Sequence, residues 1–108
     1  MNQMNSVIIE GNVESIKDFL TPTSKGCEIK IVTSRQLRNS EGMFETVKEV
    51  FTIVAFGETS KFCVSHCKEG RGIRVVGRLV QEKWTDSTGY KQSRMVVVAE
   101  HVEFKPMV

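Results

Sequence analysis

Few side chains in this chain could do chemistry. The only tryptophan, Trp84, stands in the stretch GRLVQEKWTDSTGYKQSRMVVV with Lys83 before it, Arg78 on the same strand face, and Tyr90 and Lys91 a short turn later. An exposed indole among cations suits a ligand that is both π-faced and anionic, because bases can stack on the ring while phosphates meet the positive charges. Cys63, His66 and Cys67 form a second group, three soft ligands within five residues. A structural zinc site wants four ligands, and no fourth stands nearby, so no metal is expected. These residues read instead, with Phe62, as the inward stripe of a short helix. The two histidines, His66 and His101, have no nucleophile, carboxylate pair or phosphate loop placed to work with them. An enzyme is therefore not expected, and neither is a cofactor.

Composition and charge agree with a binding role. The chain has 108 residues, enough for one domain, and carries 15 Lys and Arg against 13 Asp and Glu, a net charge of +2. That is too little to announce a polyanion partner, but Arg78, Lys83, Lys91 and Arg94 crowd one stretch against only Glu82 and Asp86. The three cysteines, an odd number without a C-x-x-C pair, argue against a disulfide framework. No apolar run approaches the roughly 20 residues of a membrane helix, and the first residues lack the pattern of a secretory signal. The expected location is the cytoplasm, with no membrane partner.

The elements that must position these residues are mostly strands. NSVIIEGNV begins the first, with Gly11 marking a bulge or bend; CEIKIVTSRQL alternates Ile29 and Ile31 against Lys30 and Val32; RNSEGMFE is a turn; VKEVFTIVAFG is the third strand. GETSKFCVSHCKEG is the only helix, with Thr59 as N-cap and Gly70 as stop. GIRVVGRLVQEKW and YKQSRMVVVAEHVEF close the chain as a long hairpin. Five strands with a helix between the third and fourth is the order of the OB-fold, an all-β Greek-key barrel. Alternation puts Ile73, Val75, Gly77 and Leu79 of the fourth strand, and Phe51, Ile53 and Ala55 of the third, in the core. Arg78 and Trp84, and likewise Val50, Val54 and Phe56, fall on the open face.

The sequence resembles the bacterial single-stranded DNA-binding protein family along nearly its whole length. The resemblance is carried by Asn5 with V-I-I-E-G-N at 7–12, T-S at 33–34, V-A-F-G at 54–57, V-V-G-R-L through K-W-T-D-S-T-G-Y at 75–90, and V-V-A-E-H-V-E-F at 97–104. It implies an OB-fold, assembled as a homotetramer, that binds single-stranded DNA largely without sequence preference and protects it during replication, recombination and repair. It also implies base stacking on the tryptophan and phenylalanine matched by Trp84 and Phe56. At two further family stacking positions this chain has Leu37, in the connection between the second and third strands, and Val50, at the start of the third. Neither offers a π-face, and Arg35 and Arg38 beside Leu37 are the expected compensation.

Family members usually continue into an acidic tail that recruits replication and repair proteins. The sequence ends at Val108 without one, so such partners are expected only where a tail exists. The alternatives are a tail-less primosome-type relative aiding replication restart, against which Trp84 and the K-W-T-D stretch weigh, and an OB-fold protein-interaction module, in which Trp84 would be a hot spot for a partner and binding would not weaken steeply with salt. The opening strand, rich in β-branched residues, is expected to be an unpaired edge that a symmetry mate covers.

Overall fold

The computed structural model describes residues 2–106. Its elements are β1 (Val7–Leu20), β2 (Lys25–Arg38), β3 (Phe44–Phe56), α1 (Gly57–His66), β4 (Gly72–Thr85) and β5 (Lys91–Phe104). The strands close into a barrel in the order β1-β2-β3-β5-β4. The five-stranded OB-fold with its helix between β3 and β4 is thus as the sequence implies. Among the described residues no helix is long and apolar enough to cross a membrane.

Closure depends on β1 pairing twice. Val7–Asn12 lie antiparallel to β4, and Asn12–Leu20 lie antiparallel to β2. Only Asn12 is paired on both sides, so the expected free edge on the opening strand persists along Val7–Gly11, whose one strand partner among the described residues is β4. Ahead of β1, the Asn5 amide extends this pairing: its Nδ2 donates to the Leu79 carbonyl at 2.8 Å and its Oδ1 accepts from the Leu79 amide at 2.9 Å. Gly11 is not the bulge, which falls between Val13 and Ser15. It is needed instead because a Cβ there would sit 2.6 Å from the Val32 carbonyl oxygen of β2.

The core is aliphatic. Ile29 and Ile31 of β2, Ile53 and Ala55 of β3, Ile73 and Val75 of β4, and Val97, Ala99 and Val102 of β5 interdigitate inside the barrel. Alternation predicts most of this set, with two departures. Leu79 is 44% exposed although its register partner Val97 belongs to the core. Val54 is buried although its parity points outward. It is paired on both sides, with Glu28 of β2 and Val98 of β5, at the junction where the two strand pairs meet.

α1 plugs one side of the barrel with Ser60 and Cys63, followed by Cys67 just past its end. Thr59 lies inside the first turn, and Phe56 is the residue at the N-cap, without a side-chain cap. The helix stops at His66, and the Cys67 amide donates to the Cys63 carbonyl. Gly70 is therefore not the stop; it lies in the following turn, where its amide donates to the Val13 carbonyl at 2.7 Å and pins the bulge of β1.

Among the described residues, β3 and β5 pair only at Ile53↔Val97 and Val54↔Val98, in parallel. Past that point the β2–β3 and β4–β5 pairs separate and project as two long ribbons. The extents of the molecule, 51 × 37 × 35 Å, reflect them.

Candidate nucleic-acid interface

Register sorts the candidate residues by face, because side chains alternate along a strand and cross-strand partners share a side. On the outer face of the β2–β3 ribbon lie the pairs Lys30↔Thr52, Val32↔Val50, Ser34↔Lys48, Gln36↔Thr46 and Arg38↔Phe44. Phe56 continues this row toward the barrel. On the opposite face lie Thr33↔Glu49, Arg35↔Val47 and Leu37↔Glu45. Val50 and Leu37 are thus both exposed, 53% and 45%, but on different sides. Both also stand within strands: Leu37 is in β2 rather than in the connection, and Val50 is mid-strand rather than at the start of β3. The expected turn over 38–45 overruns both strand ends, chiefly the start of β3 at Phe44, because a solvated ribbon alternates exposed side chains on both faces and so lacks the period of a half-buried strand.

Phe56 is held edge-on by Phe19 of β1, with ring centroids 5.9 Å apart and planes at 77°. Phe19 reaches it across Gly26, where a Cβ would come within 2.6 Å of the Phe19 ring. This leaves the Phe56 ring supported from one side and 41% exposed.

Trp84 lies near the end of β4, 46% exposed and directly opposite Gln92. With Lys83 and Lys91 it rims an open cleft of about 450 Å³ that Gln81, Thr85, Gln92 and Ser93 complete. The turn beyond is fixed by Asp86, whose Oδ1 accepts from the amides of Thr88 at 2.9 Å and Tyr90 at 3.0 Å and from the Thr88 hydroxyl at 2.6 Å. Its Oδ2 accepts from the Gln92 amide at 3.1 Å, tying the residue opposite Trp84 to the same carboxylate. These bonds, the Thr88 hydroxyl foremost and the Gln92 amide next, hold the Asp86 carboxyl down at about 2. Tyr90 stands 71% exposed at the tip. Arg78 shares the strand face of Trp84 but sits six residues away, roughly 20 Å along the strand, beside Glu100 at 3.5 Å.

The carboxylates decide which cations are available. Arg35 pairs with Glu49 at 3.0 Å. Arg94 is held between Glu82 at 2.7 Å and Glu28 at 2.8 Å, which raises its already high pKa. Lys30, Lys48, Lys83 and Lys91 have no carboxylate partner among the described residues. Such lysines can meet phosphate without first breaking an ion pair.

A family model of the single-strand binding proteins matches residues 4–105, nearly the whole chain. The chain belongs to that family. It is 32% identical over 101 residues to a single-stranded DNA-binding protein of Wolinella succinogenes, covering 92% of this chain and 62% of that protein. With the one from Helicobacter pylori it shares 33% over 106 residues, covering 93% and 57%. The chain thus spans about three fifths of the length of these two curated relatives. Among solved structures, its fold matches the Plasmodium falciparum SSB in complex with ssDNA at a TM-score of 0.85 and 14% identity, covering 98% of both chains. It matches the small single-stranded DNA-binding protein of Streptomyces coelicolor at 0.71 and 15%, covering 97% and 96%.

For this single-strand binding family member, sequence reasoning missed four residues of the outer surface. Lys30 and Lys48 share the face of Val50, and the alternation that marked Ile29 and Ile31 as inward already placed Lys30 outward. Phe19 and Phe44 carried no signal, because nothing local says that one ring will support Phe56 and the other will crown the ribbon. The cysteine group resolves as its bland reading held, though only in part. Cys27, Cys63 and Cys67 are buried together. Hydrogen bonding with Cys27 and then Cys67, reinforced by burial, pushes the Cys63 thiol far above the usual range, so it stays protonated. Phe62 and His66 are not inward: they face out, His66 4.7 Å from Phe62 and both against Phe104. The histidine therefore turns away from the thiols.

Proposed function

We propose that this protein binds single-stranded DNA without marked sequence preference, stacking bases on Trp84 and Phe56 and holding phosphates on Lys30, Lys48, Lys83, Lys91, Arg38 and Arg78. Arg35, Leu37, Val50 and Tyr90 flank that path. In the cytoplasm, associated with the nucleoid, such binding protects exposed strands during replication, recombination and repair and involves no catalysis. The observation that carries the reading is Trp84: a half-exposed indole on a turn-locked hairpin, rimmed by two lysines without carboxylate partners. A ring held in that way has its entropy of ordering already met before a base arrives. Titrating Trp84 emission with an oligodeoxythymidylate at two salt concentrations is the test. Single strands should quench it, duplex of equal length should do so poorly because its bases are already stacked, and binding should weaken steeply with salt. An equal response to both forms would remove the stacking model.

The reading includes a homotetramer. Support comes from the outer face of β1 and β4, where Ile8, 69% exposed, lies beside Val76 in a shallow depression. Glu10, Arg74 and Glu103 rim it with charge of both signs, Arg74 meeting Glu10 at 2.6 Å and Glu103 at 3.8 Å, and Lys105 reaches Glu10 at 3.5 Å. An apolar strip inside a rim of both signs is able to complement its own copy across a two-fold axis. Light scattering at micromolar concentration should give a mass well above the 12.2 kDa chain; a monomer mass would defeat the assembly.

A further inference from the structure

We infer that Phe44, at the tip of the β2–β3 ribbon, is a base-stacking platform that Arg38 backs from behind, an inference that rests on the single-strand reading above. Phe44 is 67% exposed, an unusual place for a phenyl ring with no core or partner strand to cover it. The Arg38 guanidinium lies over one face of the ring, 5.2 Å from its centroid, within the range of a cation–π contact. The Arg38 Nε donates to the Gly42 carbonyl at 3.2 Å, which fixes the guanidinium in that position. One ring face is therefore occupied by a cation, and the other is left to solvent.

The tip itself is built to be stiff. Asn39 Oδ1 accepts from the amides of Glu41 at 2.9 Å and Met43 at 3.0 Å, and its Nδ2 donates to Glu45 at 3.0 Å. The Asn39 amide donates to the Met43 carbonyl at 2.8 Å, and Gly42 supplies the positive φ of 79° that the turn requires. Phe44 is thus presented by a ribbon end with little freedom to lose on binding.

Its position fits a strand laid along the ribbon. Phe44, Val50 and Phe56 fall on one face of β3 at intervals of six residues, roughly 20 Å each, with Lys48 and Lys30 between them on that face. A base on the open side of Phe44 would be sandwiched against a ring that Arg38 polarises, while the same guanidinium lies close to the neighbouring phosphate. This puts an aromatic platform on a ribbon whose Val50 and Leu37 cannot supply one.

The test moves the single tryptophan. In a variant carrying Trp84→Phe and Phe44→Trp, emission reports on the tip alone, while anisotropy of an end-labelled oligodeoxythymidylate reports binding. The expected result is quenching that follows the anisotropy. In the otherwise unaltered chain, Phe44→Ala should weaken binding by about 5- to 140-fold, with Phe44→Tyr restoring it. Binding without quenching, or a Phe44→Ala variant that binds as tightly as the parent, overturns the platform and leaves single-strand binding standing. No anisotropy change with the unsubstituted chain would instead overturn the single-strand reading, and the platform with it.

Discussion

The two faces of the β2–β3 ribbon are made of the same two strands, yet they differ as surfaces. The outer face carries Lys30, Arg38 and Lys48 among Thr, Ser and Gln side chains, and its first carboxylate, Glu28, is already engaged by Arg94. The opposite face carries Glu45 and Glu49 beside Leu37 and Val47, and its arginine, Arg35, is paired with Glu49. One face is a cationic track and the other is close to neutral or negative. Residues adjacent in sequence, such as Leu37 and Arg38, therefore belong to different surfaces, and an anionic strand should distinguish them.

Charge reversal should break the comparison if it is wrong. Lys30→Glu with Lys48→Glu should flatten the plot of log K against log salt by about 1.4, from two lost phosphate contacts, and weaken binding about 25-fold or more at 0.1 M salt. Arg35→Glu, on the opposite face, should leave the slope unchanged. If the two variants lose affinity alike, the strand does not choose between the faces.

Adding a ring sharpens the same contrast with a smaller effect. Val50→Trp should raise affinity by about 1–3 kcal/mol per protomer at an unchanged salt slope. Leu37→Trp places its indole among Glu45 and Glu49 and should change affinity by no more than about 0.5 kcal/mol, as an ordinary surface substitution would. A larger gain at position 37 than at 50, read by competition titration, would put the strand on the opposite face.

The smallest effect separates the two ribbon tips. Asn39 and Asp86 do the same work, each accepting two backbone amides two and four residues on, but only Asp86 titrates. Its carboxyl is lowered from an ordinary 3.8 to about 2 in the folded chain. Its contribution to stability is therefore present above pH 4 or so and is lost as pH falls through that window toward 2. Amide exchange at Tyr90 should accelerate across that range beyond the intrinsic trend, while Met43 at the Asn39 tip should not. Asp86→Asn should abolish the difference. Equal acid sensitivity at both tips would point to general unfolding.

Much of the barrel was legible before any coordinates. The alternation of Ile29, Ile31, Ile53, Ala55, Ile73 and Val75 specified the core, because side-chain direction in a strand is a local property with a period of two residues. Trp84 and Phe56 were legible as candidate platforms for the same reason, each falling at a position of outward parity beside cations. The helix could be placed between β3 and β4, although its ends could not: Thr59 and Gly70 are sound capping residues, but packing of Ser60, Cys63 and Cys67 against the barrel set the boundaries instead.

What the tertiary structure alone decided is nonlocal. Barrel closure gave β1 two partners, one for each half, and brought Arg94 to Glu28 across 66 residues of chain. Leu79 is exposed despite its inward parity, and register across β2 and β3 put Arg38 over Phe44 rather than beside Leu37. Alternation tells which residues share a side of one strand. Which sides become one surface, and which of those surfaces water or a ligand can reach, depends on pairing between segments far apart in the chain, and no window of sequence contains that pairing.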